Sequence, residues 1–89
     1  MLEEKLSDLI LVVESQLKLV KIKIRATKKE LKELENELKN NKYIDLEKVT
    51  DTKKRLREEL SDLDIRLYKL NKVIYRLKVC EKILNNEEI

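Results

Sequence analysis

Apolar side chains recur at steps of three and four through Leu17, Val20, Ile24, Thr27, Leu31, Leu34 and Leu38. Such steps are the a and d positions of a heptad, and they place every member on the stripe of a helix that faces one partner helix. Upstream, Leu2, Leu6, Leu9 and Val13 extend the stripe, and the two successive four-residue steps from Leu9 to Val13 to Leu17 predict a stutter that locally relaxes the supercoil. A second run, Leu56, Leu60, Leu63, Leu67, Leu70, Ile74 and Leu77, keeps a/d spacing with no polar interruption and is the strongest periodic signal in the chain.

Between the runs the phase breaks. Continuing the first seam past Leu38 would put Asn41 or Lys42, and then Asp45, into the core, so the chain must turn there. Asn40 and Asn41 tolerate the left-handed backbone that ends helices in the absence of glycine, and Asp45 is suited to cap the following helix. Ile44 and Val49 then occupy the two positions of a hydrophobic staple, and Glu47 lies in the first turn, where negative charge is favoured. The expected elements are one helix over about 3–40, a turn at about 41–45 and a second helix over about 46–86. Thr27 with Glu30 and Ser61 with Asp64 have or approach capping-box spacing, but each sits inside a seam that holds its phase on both sides, so both are read as helix interior.

The pattern predicts an all-α fold, a single long antiparallel two-helix hairpin resembling a coiled coil, with helices of roughly 60 Å at 1.5 Å per residue. Folding back about residue 42 sets Leu17 near Leu67, Val13 near Leu70 and Leu9 near Ile74. Lys53 falls opposite Leu31, which weakens the seam toward the turn.

A hairpin buries one stripe per helix, yet apolar residues also stand off the seam. Helix 1 carries Val12, Leu19, Ile22 and Ala26, the last three at outward c and f positions, and helix 2 carries Ile65, Tyr68, Tyr75, Val79 and Ile83. All lie in the half remote from the turn. A patch of this size is costly when left in water, so these nine residues are the expected interface for self-association or a partner. Two hairpins pairing through their base halves into a four-helix bundle is the economical arrangement, since homodimers are the commonest oligomers. A different protein covering the same face is the competing arrangement.

Composition sharpens this picture. The chain has neither Gly nor Pro, which disfavours β-rich and loop-rich architectures, and a charged fraction of 44% leaves too little apolar material for a thick core. The longest apolar run, Leu9 to Val13, is far short of the roughly 20 residues of a membrane span, and Glu3 and Glu4 stand where a secretory leader is basic. A cytoplasmic location without membrane insertion is expected. The lone Cys80 falls among apolar neighbours and is expected to be a small buried side chain.

Charge adds a candidate second surface. Lys18, Lys21, Arg25, Lys28 and Lys32 recur at steps of three and four along one side of helix 1, and the stretch Arg66, Lys69, Lys72, Arg76, Lys78 contains no acid. Such an array can neutralise phosphates and bind RNA or DNA, with Tyr68 or Tyr75 available for stacking. Against this, the formal net charge is only +3, no nucleic-acid motif is present, and Glu58, Glu59, Asp62 and Asp64 can pair with nearby cations. A solvated flank is therefore expected first, and contact with nucleic acid or an acidic partner is the alternative.

With no His, no Gly and one Cys, the chain lacks the commonest general base, a phosphate-cradling loop and a thiolate metal site, so no catalytic, cofactor-binding or metal-binding residues are assigned. The expected function is a non-enzymatic coiled-coil interaction module that self-associates, most simply as a dimer, and binds a partner protein as regulator, inhibitor or scaffold. The alternatives are a nucleic-acid-binding bundle using the helix 1 stripe and a structural subunit of a larger assembly.

Overall fold

The computed structural model describes the backbone of residues 2–40 and 45–87 and the side chains of 4–40 and 45–86. Two helices account for nearly all of it: α1 spans Leu2–Asn40 and α2 spans Leu46–Glu87. They run antiparallel as a hairpin 69 Å long and 16 by 14 Å across. Absence of internal Gly or Pro leaves no residue that would break either helix, and the abundance of Leu, Lys and Glu favours helix throughout. Thr27 and Ser61 lie inside their helices, as the unbroken seams require.

The start of α2 is capped as its sequence predicts. An Asp45 carboxylate oxygen accepts hydrogen bonds from the backbone N–H of Glu47 at 3.1 Å and Lys48 at 3.4 Å, satisfying two amides that have no intrahelical partner. The Val49 N–H donates to the Asp45 carbonyl at 3.1 Å, closing the first turn. No described residue has a positive φ, so Asn40 ends α1 in ordinary helical geometry rather than in the left-handed conformation. Asn41, Lys42 and the staple residue Ile44 lie outside the described residues.

Burial corrects the seam at one point. Ile10 is buried at 7% exposure, while Leu9 is 48% exposed. With Ile10 in the seam, α1 reads Leu6, Ile10, Val13, Leu17, Val20 in strict alternation of four and three, so the expected stutter is absent and the heptad runs unbroken to Leu38. The alternation wins because it keeps every buried residue on one stripe, whereas two four-residue steps drift the stripe away from the partner helix. In α2 the same phase extends beyond the predicted run: upstream Val49 is buried and Lys53 half-buried, and downstream Glu81 and Leu84 are half-buried. Cys80 consequently stands one position off the seam and is exposed, not buried.

The core is a single file of interlocked aliphatics. Val20 and Ile24 of α1 pack with Leu63 of α2, and Leu60, Leu67 and Leu70 close around them. Thr27, the polar seam residue, is 6% exposed, and its hydroxyl donates to the Lys23 carbonyl at 2.8 Å, so its burial leaves no donor unsatisfied. Lys53, expected opposite Leu31, is half-buried and sends its Nζ to Glu35 Oε1 at 3.7 Å, one helical turn nearer the tip. No described side chain is completely enclosed, as expected where each helix has only one neighbour.

Candidate interaction surfaces

In an antiparallel pair the e positions of both helices flank one side of the seam and the g positions the other. Printed on the structure, Glu14 and Lys78 are both e residues, and their Oε1 and Nζ lie 3.5 Å apart, marking the e side. Seven-residue steps from Glu14 lead along that side to Lys21, Lys28 and Glu35. The g side is marked by a shallow depression in which Gln16, Leu19, Val20 and Lys23 of α1 meet Arg66 of α2.

All nine predicted interface residues are solvent-exposed in the hairpin. They do not form one face. Val12, Leu19 and Ala26 share the c positions beside the g side, together with Leu9, and Ile83 occupies the corresponding c position of α2. Ile65, Tyr68, Tyr75 and Val79 occupy b and f positions of α2 and adjoin the e side; Tyr75 and Val79 line a groove with Lys78, whose ammonium makes the e-side ion pair. Ile22 goes with the e side as well, lining a groove with Lys18, Lys21 and Arg25. Four exposed apolar residues were missed from the sequence: Leu9, Leu11, Leu46 and Val73. The signal that finds Leu9 is the four-three alternation through Ile10, which excludes it from the core.

The basic stripe holds its predicted geometry. Lys18, Lys21, Arg25, Lys28 and Lys32 are exposed along the e and b positions of α1. Glu58, Glu59, Asp62 and Asp64 do not pair with them: the ion pairs formed among the described residues are Glu35 with Lys53 and Glu14 with Lys78, and none of the five stripe cations takes part. On the α2 wall Lys72 sits over the Tyr68 ring, its Nζ 5.1 Å from the centroid, a cation–π contact between side chains one turn apart.

The net charge of +3 conceals a strong segregation. Residues 15–32 and 65–80 carry twelve Lys and Arg against the single carboxylate of Glu30, and the remaining 55 residues carry nine against seventeen. Folding brings these two basic stretches to the middle and base of one rod, with Glu58, Glu59, Asp62 and Asp64 of α2 at the height of the α1 stretch, where Leu63 packs with Val20 and Ile24. The grooves along this surface are shallow and open to solvent, one of them lined at the tip by Leu38, Leu46, Lys53, Lys54 and Arg57.

The chain matches no family model, no curated protein and no solved structure. Function therefore has to be argued from the surfaces themselves. Among the described residues no helix is long and apolar enough to cross a membrane.

Proposed function

We propose that the chain is a non-enzymatic coiled-coil interaction module that self-associates through its base half and acts by binding a partner protein, as a regulator, inhibitor or scaffold. The observation that carries this reading is the exposure of large apolar side chains on both sides of a fully formed hairpin, with Tyr75 at 71% on the e side and Leu19 at 59% on the g side. Scattered exposed leucines need no explanation, but apolar stripes repeated at heptad spacing on helices whose own seam is already satisfied are surfaces built for further helices. The module acts by occupancy of these surfaces.

Self-association is assigned to the g side, where Leu9, Val12 and Leu19 of α1 adjoin Val73 and Ile83 of α2, so both helices contribute to one patch. Two copies joined there form a four-helix bundle with the charged tips projecting. Sedimentation equilibrium over a range of micromolar concentrations tests this. Wild-type chain should sediment as a dimer, and the Val12→Glu, Leu19→Glu variant as a helical monomer. A wild-type monomer, or a dimer indifferent to both substitutions, overturns the assignment.

A further inference from the structure

We infer that the e side of the middle of the rod is a docking surface for the phosphate backbone of double-stranded nucleic acid, a binding activity separate from self-association through the g side. Leu63 packs with Val20 and Ile24, and Lys53 reaches Glu35, so residues 54–68 of α2 run alongside residues 18–32 of α1. On α1 every e and b position of that stretch is cationic: Lys18, Lys21, Arg25, Lys28 and Lys32. On α2 Arg57 and Lys54 face the same side, level with Lys28 and Lys32, and Asp64 is the one carboxylate there. Seven exposed cations thus stand against one acid. The g and c positions of the same stretch carry Lys23, Arg55 and Arg66 against Glu30, Glu59 and Asp62, an even balance. Two of the acids that could have neutralised the stripe, Glu59 and Asp62, are therefore on the far side of the rod, and none of the seven cations takes part in the ion pairs formed among the described residues.

The occupant follows from what this surface offers. From Lys18 to Lys32 the stripe rises about 21 Å, its members about 5 Å apart, at 1.5 Å per residue. A duplex of that length presents about six phosphates on each strand, at one charge per ~1.7 Å of axis with both strands counted, so the cations match one strand in number. No aliphatic residue occupies an e or b position of either helix in this stretch, so a partner helix would find nowhere to bury its apolar stripe, whereas a phosphate backbone requires only charge. Single strands gain affinity by stacking their bases on aromatic rings. The one ring on this side of the stretch, Tyr68, lies at its base end and already carries the Lys72 ammonium 5.1 Å from its centroid. A duplex keeps its bases inside and forfeits nothing there. The two sides of the rod act separately, because a Debye length of about 8 Å at physiological salt is shorter than the 16 by 14 Å cross-section. The net charge of +3 therefore understates the field on the e side. Pairing of two copies through their g sides leaves both e sides facing outward.

The test follows the fluorescence anisotropy of a labelled, mixed-sequence DNA duplex of about 20 base pairs as the full chain is added at a series of salt concentrations. Binding should be saturable, and the logarithm of the association constant should fall against the logarithm of salt concentration with a slope of about −4 to −6, as five to seven neutralised phosphates require. The Lys21→Glu, Arg25→Glu, Lys28→Glu variant should bind about a hundredfold more weakly and flatten the slope by about 3. Lys54→Gln, Arg57→Gln should weaken binding by about tenfold, since α2 completes the surface. The charge-matched g-side variant Lys23→Glu, Arg55→Glu, Arg66→Glu should stay within about threefold of wild type at ~0.15 M salt. Circular dichroism and sedimentation equilibrium check that each variant keeps its helicity and oligomeric state; should the e-side reversal lose helicity, the Gln variant and the salt slope still decide. An oligothymidylate and a polyglutamate of equal charge should both bind more weakly than the duplex. No duplex binding at ~50 mM salt, equal losses in the e-side and g-side reversals, or tighter binding of the oligothymidylate or the polyglutamate overturns the proposal. A failure of self-association leaves it standing, because the surface lies within one hairpin.

Discussion

At the scale of single residues, the position that most changes the molecule is Ile10. Its burial and the exposure of Leu9 decide the phase of the whole base half of α1. In the monomeric Val12→Glu, Leu19→Glu background, Ile10→Ala should lower unfolding free energy by about 2–4 kcal/mol, the range for truncating a packed aliphatic. Leu9→Ala in the same background should change it by less than about 0.5 kcal/mol, as for an exposed side chain. Urea unfolding measures both, and a larger loss at Leu9 would restore the stutter. Asp45→Ala removes the two capping bonds at the start of α2 and should cost about 1 kcal/mol in the same assay.

Each helix carries a seam that is continuous but not uniformly apolar. Lys53 stands in the α2 seam half-buried, held only by a partly exposed ion pair at 3.7 Å to Glu35. Such a pair contributes less than about 1 kcal/mol, whereas an aliphatic side chain there would remove apolar surface from water on both helices. Lys53→Leu should therefore raise the urea midpoint, by an amount corresponding to about 1 kcal/mol. A lower midpoint would mean that the ion pair outweighs the burial. The exposed stripes behave differently, because substituting them leaves the seam intact; they set what the hairpin binds rather than whether it forms.

For the whole molecule, the charge carried by the base halves sets the response to salt. Copies pairing through the g side bring like-charged base halves together, so added salt should tighten the dimer by screening that repulsion. Thermal unfolding should also shift upward with protein concentration, since a rod with no completely enclosed side chain among its described residues gains stability by mass action when it associates. A melting temperature independent of concentration would count against self-association through the g side.

The sequence by itself determined both helices, their approximate ends, the Asp45 cap and the a/d stripe from Val13 to Leu38 and from Leu56 to Leu77, because helix periodicity and capping are local properties of the chain. It also marked as surface the nine apolar residues outside the seam, which are all exposed. Tertiary structure decided what depends on a second helix. Leu9 and Ile10 are both apolar neighbours, and only packing against α2 selects which one faces inward; the same choice of phase places Cys80 in solvent. That the exposed apolar residues divide between the two sides of the seam follows from the antiparallel approach of α1 and α2, since the heptad spacing of either helix alone does not say which of its flanks meets which flank of the other.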